Sequence, residues 1–240
     1  ASNGGNFTAV HSNINYLNNV GHGLSASNIN LKEGTVFKAN HNGYYGTYSS
    51  GDFYVDGTTT MEVTENSYNG DFAGLKLTSG VTDGKVEAGA IVNISNNYCS
   101  GLSNNGKVVF EEGVDLSIVN NINDKGSSSH GGGIYNSGAS ANLTLPSDTV
   151  IYNNHSKTDG DDIFNNTTAT ITFGDVTADN NWTLDGTGDL DGVTDCTDLI
   201  TGWFDDSTDG RWNAHAENAD DNHMVAYDAF DAETGMTTVI

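Results

Sequence analysis

Basic residues are scarce in this chain of 240 residues, which has 8 lysines and arginines against 32 acidic residues and a formal net charge of −24. The composition argues against nucleic acid as a partner, because contact with a phosphate backbone needs clustered cations. Anionic lipid surfaces repel the chain for the same reason. No apolar run approaches the roughly 20 residues of a membrane-spanning helix, so we expect no membrane insertion.

Proline and cysteine are almost absent. The single proline, Pro146, excludes a proline-rich linker or a mucin-like stalk. Cys99 and Cys196 allow one bridge across a long loop, worth roughly 4–5 kcal/mol in the chain-entropy model. Two separate thiols are the alternative that we favour, and the spacing of the two cysteines is no metal signature.

Glycine, asparagine, threonine, serine and aspartate dominate what remains. A hydrophobic content of 35%, with 30 glycines and 10 tyrosines, indicates a folded rather than a disordered acidic chain. Lysine and glutamate are few, which disfavours helices. The composition therefore predicts an all-β protein whose strands are joined by tight polar turns.

An internal repeat organises most of the chain. Apolar segments that alternate and then end in asparagine recur with a mean interval of about 27 residues, within the range of solenoid repeats. Two further short strands and their turns fit into each interval. The segments are NINYLNN (13–19), GTVFKAN (34–40), TMEVTEN (60–66), GAIVNISNN (89–97), DLSIVNN (115–121) and DTVIYNN (148–154).

This repeat predicts a parallel β-helix. Short strands at about 3.3 Å per residue, together with three corners, use roughly 20–30 residues for each coil. We predict about six or seven coils over residues 1–175. Residues 176–240 carry all three tryptophans, the only arginine and no repeat. We therefore expect them to form an acidic C-terminal cap or small module, because solenoids carry atypical ends.

The recurring asparagines predict a ladder. A corner that repeats on every coil stacks at about 4.8 Å on the corner below, where amide side chains can hydrogen-bond along the stack. Asparagine also tolerates the left-handed backbone of a sharp corner. The alternative is a simple turn dipeptide. The predicted ladder positions are Asn18, Asn40, Asn66, Asn96, Asn120 and Asn153.

Aromatic residues in the segment 40–54 form the best candidate for ligand binding. Tyrosine among glycine, serine and asparagine is typical of protein-binding loops and also suits stacking on sugars. The alternative is a corner loop whose tyrosines pack on the coil wall. The candidate residues are Tyr44, Tyr45, Tyr48, Phe53 and Tyr54.

Calcium is the one cofactor that the sequence indicates. The segment LDGTGDLDGVTD (184–195) places four aspartates among three glycines, and Ca²⁺ prefers such oxygen ligands. A solvated acidic loop is the alternative, since the EF-hand spacing is absent. The candidate ligands are Asp185, Asp189, Asp191 and Asp195.

Enzymatic function is weakly supported. A polygalacturonase-like pattern would need GHG (21–23) near the pair Asp161-Asp162, but the repeat places them over about 20 Å apart. Inverting carboxylates lie about 6.5–9.5 Å apart. A lyase for acidic sugars needs clustered cations, whereas the lysines are scattered and Arg211 lies outside the repeats. We therefore predict a chain with no catalytic residues.

Several segments resemble the right-handed parallel β-helix region of large surface proteins from Gram-positive gut bacteria. They are GGGIYNSG (131–138), NLTLPSDTVIYNN (142–154), GDDIFNNTTATITF (160–173), TGWFDDSTDGRW (201–212) and NAHAE (213–217). The resemblance implies a secreted, wall-attached adhesin, of which this chain is a monomeric fragment, displayed outside the cell. It also implies recognition of a host protein or glycan, such as a mucin or an immunoglobulin.

Three functions thus remain open after the sequence. An adhesin-type binding domain is predicted to show an aromatic or apolar patch on one face of the solenoid. A carbohydrate-active β-helix enzyme, the first alternative, is predicted to gather carboxylates or lysines on adjacent coils. A purely structural stalk, the second alternative, predicts neither feature.

Overall fold

The computed structural model describes residues 5–70, 72–125, 129–146, 149–152, 154–157, 162–166 and 169–174, together with the strand backbones at 182–184, 190–191, 203–205 and 211–214. All of the regular structure in these residues is strand. No helix within them is long and apolar enough to cross a membrane. Cys196 and the predicted calcium ligands Asp185, Asp189 and Asp195 lie outside the described residues, and only the backbone of Asp191 is described.

Short strands follow one another along the chain. In chain order they are β1 (Asn6–Val10), β2 (Asn13–Leu17), β3 (Leu24–Ala26), β4 (Asn28–Lys32), β5 (Val36–Asn40), β6 (Thr47–Ser49), β7 (Phe53–Val55), β8 (Thr60–Thr64), β9 (Ala73–Leu77), β10 (Gly84–Val86), β11 (Ile91–Ser95), β12 (Ser100–Asn104), β13 (Lys107–Phe110), β14 (Asp115–Val119), β15 (Ile122–Asn123), β16 (Ile134–Asn136), β17 (Asn142–Leu145), β18 (Val150–Tyr152), β19 (His155–Ser156), β20 (Ile163–Asn165) and β21 (Thr170–Phe173).

The strands build three parallel sheets that the chain visits in rotation. Sheet A contains β1, β4, β7, β10, β13, β17 and β21; sheet B contains β2, β5, β8, β11, β14 and β18; sheet C contains β3, β6, β9, β12, β16 and β20. β15 and β19 form a small fourth sheet. This topology confirms the predicted parallel solenoid. The chain makes about five full turns between the first and the last strand of sheet B, slightly fewer than the six or seven coils predicted.

The core lies inside the three sheets and is built from columns of like residues. In sheet B, the parallel register places Ala39, Val63, Ile94, Ile118 and Ile151 one above another. All five are fully buried. Because strand side chains alternate between two faces, every second residue of a strand points into the core. Each buried valine or isoleucine side chain contributes roughly 1.5–3 kcal/mol.

Antiparallel strands follow the last coil. β22 (Trp182–Leu184) pairs with β21 and with β23 (Leu190–Asp191). β24 (Trp203–Asp205) pairs with β25 (Arg211–Ala214), which in turn pairs with β20. These pairings extend the ends of sheets A and C, where unpaired backbone groups would otherwise remain. The boundary between a solenoid at 1–175 and a cap at 176–240 stays a prediction.

Candidate ligand-binding site

An asparagine ladder runs along the corner between sheets B and C. Each rung donates from Nδ2 to Oδ1 of the next rung, at 2.7–3.0 Å. Each of the five inner rungs also donates from Nδ2 to a backbone carbonyl near the end of the preceding sheet B strand. The ladder thereby satisfies polar groups that the corner would bury. Its members are Asn19, Asn42, Asn66, Asn97, Asn121, Asn154 and finally Asp162.

The ladder residues differ from most of the predicted positions. Asn66 is both predicted and observed. Asn18, Asn96 and Asn120 directly precede the ladder and have φ angles of 55–57°. A residue in this left-handed conformation turns the chain, and its successor then points inward. Asn40 lies at the end of β5 and donates to Thr64 Oγ1 at 2.7 Å, and Asn153 lies outside the described residues.

A column of buried glycines faces the ladder. A Cβ atom added at any of these positions would come within 2.8 Å of the amide nitrogen of a ladder asparagine. The close approach of backbone to amide therefore requires glycine at the start of each sheet C strand. The column consists of Gly23, Gly46, Gly74, Gly101 and Gly133.

The five predicted ligand-binding aromatics do not form one patch. Tyr44, Tyr45 and Tyr48 lie together at the edge of sheet C. Phe53 points into the core and is only 1% exposed, so it cannot contact a ligand. Tyr54 lies on sheet A, where the Lys32 ammonium sits 5.0 Å from its ring centre. Adjacent residues of β7 point to opposite faces, which separates Phe53 from Tyr54.

The three tyrosines belong to a larger group, here called the N-terminal aromatic cluster. His22 stacks on Tyr45 at 5.3 Å between ring centres, and Phe72 lies 4.4 Å from Tyr44 and 5.0 Å from Tyr45. Burial lowers the pKa of the His22 imidazole. The cluster consists of His22, Tyr44, Tyr45, Tyr48 and Phe72.

A second aromatic group lies farther along the same face. His130 stacks on Phe164 at 4.7 Å, and Tyr135 stacks on Phe164 at 5.4 Å. We call these three residues the C-terminal aromatic cluster. The backbone carbonyl of His130 accepts hydrogen bonds from Asn123 Nδ2 at 2.9 Å and from Ser100 Oγ at 3.3 Å. These bonds hold His130 in place.

A cleft with a volume of about 210 Å³ separates the two clusters. The strand register places Lys76 and Ser103 between Tyr48 on one side and Tyr135 on the other, so that they form the floor. Phe72 and His130 belong to loops two coils apart, which corresponds to about 10 Å. We call this the sheet C cleft. Its lining residues are Tyr45, Phe72, Lys76, Cys99, Ser100, Ser103, Asn123, His130 and Tyr135.

Lys76 is the cation at the floor. Its ammonium donates to Ser103 Oγ at 2.9 Å and also contacts Asn105 Oδ1. Burial lowers the pKa of Lys76 to about 8, so the side chain stays mostly protonated at neutral pH. None of the described residues that line the cleft is an aspartate or a glutamate.

Sequence reasoning missed Phe72, Lys76, His130 and Tyr135. Phe72 and Lys76 lie just before and within β9, whereas His130 and Tyr135 lie two coils later, and the register of sheet C brings the two pairs together. The Cys99 thiol also lines the cleft and donates to the Phe72 carbonyl. The described residues contain no cluster of three His, Cys, Asp or Glu side chains that could hold a metal ion.

Comparison of the chain with protein-family models, with curated proteins and with solved structures found no match. The resemblance to surface proteins of Gram-positive gut bacteria therefore has support only from the parallel solenoid fold.

Proposed function

We propose that this chain is a non-enzymatic binding domain of an extracellular bacterial surface protein, and that it binds a glycan of a host glycoprotein in the sheet C cleft. One observation carries the proposal: two aromatic clusters flank a polar floor on a single face of the solenoid. Aromatic rings pack against the apolar faces of sugars, while hydroxyl, amide and ammonium groups bind sugar hydroxyls.

The dimensions of the cleft favour a sugar over a protein surface. A stable protein–protein interface spreads over about 800 Å² of each partner's surface, whereas the candidate site is a single concave cleft of about 210 Å³, which is the shape of a small-molecule site. It therefore suits one or two terminal sugar rings. A mucin or an immunoglobulin would be recognised through its glycans, with the solenoid displaying the cleft away from the cell.

Removal of an aromatic wall is expected to weaken glycan binding about tenfold, since a stacking ring contributes on the order of 1 kcal/mol beyond its buried area. The Phe72→Ala and Tyr135→Ala variants each remove one wall. Affinity is measured by titration calorimetry against the best ligand found on a glycan array that includes mucin and immunoglobulin glycans.

The Tyr54→Ala variant is the matched control, because Tyr54 is a tyrosine on sheet A rather than in the cleft. Its affinity should equal that of the unaltered chain. If neither any glycan nor any intact glycoprotein bound, the proposal would be overturned and a structural stalk would remain as the function. Binding to immunoglobulins stripped of their glycans, as strong as to intact ones, would show that the target is protein.

A polysaccharide lyase is the second candidate, and the lowered pKa of Lys76 favours it. A lysine with a pKa near 8 can abstract a proton next to a uronate carboxylate. Among the described residues that line the cleft, however, Lys76 is the only lysine or arginine, whereas neutralising that carboxylate needs a further cation. Appearance of ultraviolet absorbance from an unsaturated sugar product, during incubation with uronate polysaccharides, would establish the lyase in place of the binding domain.

A further inference from the structure

We infer that the sheet C cleft selects a sugar that carries a single carboxylate, and that Lys76 is the residue that binds this carboxylate. The inference rests on the proposed function and specifies the chemical class of its ligand. Three features support it: the uncharged surroundings of Lys76, the position of the ammonium between the two aromatic clusters, and the net charge of the whole chain.

Lys76 differs from Lys38 and Lys85 in having no carboxylate partner among the described residues. Lys38 forms an ion pair with Glu62 at 2.7 Å, and Lys85 pairs with Glu111 at 2.9 Å. The described contacts of the Lys76 ammonium are with Ser103 and Asn105, both uncharged. A half-buried ammonium with uncharged neighbours lacks electrostatic compensation for the water that it has lost.

A bound carboxylate would supply that compensation. The hydrogen bond between an ammonium and a carboxylate is charge-assisted and about twice as strong as a neutral one. Because Lys76 lies at the floor between Phe72 and Tyr135, a carboxylate on Lys76 would leave the ring of the same sugar against an aromatic wall. Ser100 and Asn123 also line the cleft, where both are nearly buried and Asn123 Nδ2 donates to Ser100 Oγ at 3.0 Å.

The charge of the chain limits how acidic the ligand can be. A net charge of −24 repels a polyanion that comes within about a Debye length of the surface. Among the described lysines, only Lys76 lines the cleft. One carboxylate on an otherwise neutral glycan fits these two conditions, whereas a chain of uronates or sulfates does not.

Binding should then depend on pH with a definite sign. Lys76 is protonated below its pKa of about 8, so affinity for the acidic sugar is fully present at pH 6–7 and is lost as the pH rises above about 8. The affinity should fall about tenfold for each pH unit there. The other titratable groups that line the cleft are Tyr45, Cys99, His130 and Tyr135, and Tyr48 pairs with Lys76 across the strands.

The experiment compares each acidic glycan with its own methyl ester. Glycans that end in sialic acid or in glucuronic acid are titrated into the chain, and the esters differ from them only by the charge. At pH 7 we expect the affinity of the chain for each acid to be at least about tenfold higher than for its ester. The Lys76→Gln and Lys76→Met variants should abolish this difference and its pH dependence, so that each variant binds an acid and its ester with equal affinity.

The Lys107→Gln variant is the control, because it removes an exposed lysine on sheet A and leaves the net charge equal to that of Lys76→Gln. It should keep the preference for acids. Equal binding of acid and ester by the unaltered chain would overturn the inference but not the proposed function. Binding of a glycan whose only charge is a sulfate, as tight as that of the carboxylate-bearing glycan, would likewise overturn the inference but not the proposed function. Failure of acids, esters and neutral glycans alike would overturn both.

Discussion

Replacement of Asn97 by alanine should lower the free energy of unfolding by about 4 kcal/mol. The Asn97 side chain accepts two hydrogen bonds from Asn66 and donates one to Asn121 and one to the Val63 carbonyl, all at 2.9–3.0 Å. Alanine removes all four, and the groups left behind are buried. A buried polar group without its partner costs roughly 1–3 kcal/mol.

Urea denaturation followed by circular dichroism measures this loss. The control is Asn96→Gly at the neighbouring position, where the side chain is exposed and φ is 56°. Glycine readily adopts that backbone conformation, so the free energy of unfolding should change by no more than about 1 kcal/mol. Equal losses for the two variants would mean that the corner depends on its turn and not on the ladder.

Replacement of Gly101 by alanine should destabilise the solenoid by about 3 kcal/mol. The added Cβ would lie 2.6 Å from Asn121 Nδ2 and 3.0 Å from the Gly133 carbonyl. Neither group can retreat freely, because the amide is hydrogen-bonded within the ladder and the carbonyl belongs to the backbone of the next coil. The methyl group therefore spreads adjacent coils or breaks a rung.

Gly34→Ala is the matched control for the same measurement. Gly34 has a φ of 73° but no atom within 4 Å of an added Cβ, so only the left-handed backbone opposes alanine. The expected loss is about 1 kcal/mol. If Gly101→Ala were as mild as Gly34→Ala, the close packing of the glycine column against the ladder would not be a source of stability.

The repeat was sufficient to predict the solenoid, because period-two alternation and evenly spaced corners leave few other folds. It was less informative about single positions within a corner. The pair Asn96-Asn97 contains one residue that turns the chain and one that forms the rung, and composition cannot distinguish them. His41 and Glu65 take the turning position in two coils, which obscured the spacing further.

The site was harder to predict than the fold. The sequence singled out Tyr44, Tyr45 and Tyr48, which lie in one loop and the strand that follows it. Lys76 and Tyr135 are brought near them by a register that depends on the lengths of the intervening corner loops. Since those lengths vary from coil to coil, one chain alone does not reveal which outward residues share a row.

The asparagine ladder has a direction. Each asparagine of the ladder donates its hydrogen bond toward the C-terminal coil, so the amide dipoles align and polarise one another. A coil stacked in the reverse orientation would place two amide donors opposite each other. The ladder therefore disfavours that orientation. The last member of the ladder among the described residues is Asp162, whose carboxylate accepts from Asn154 Nδ2 and carries no amide hydrogen. Because an ionised carboxylate cannot donate, an asparagine stacked beyond Asp162 would not continue the same donor–acceptor order.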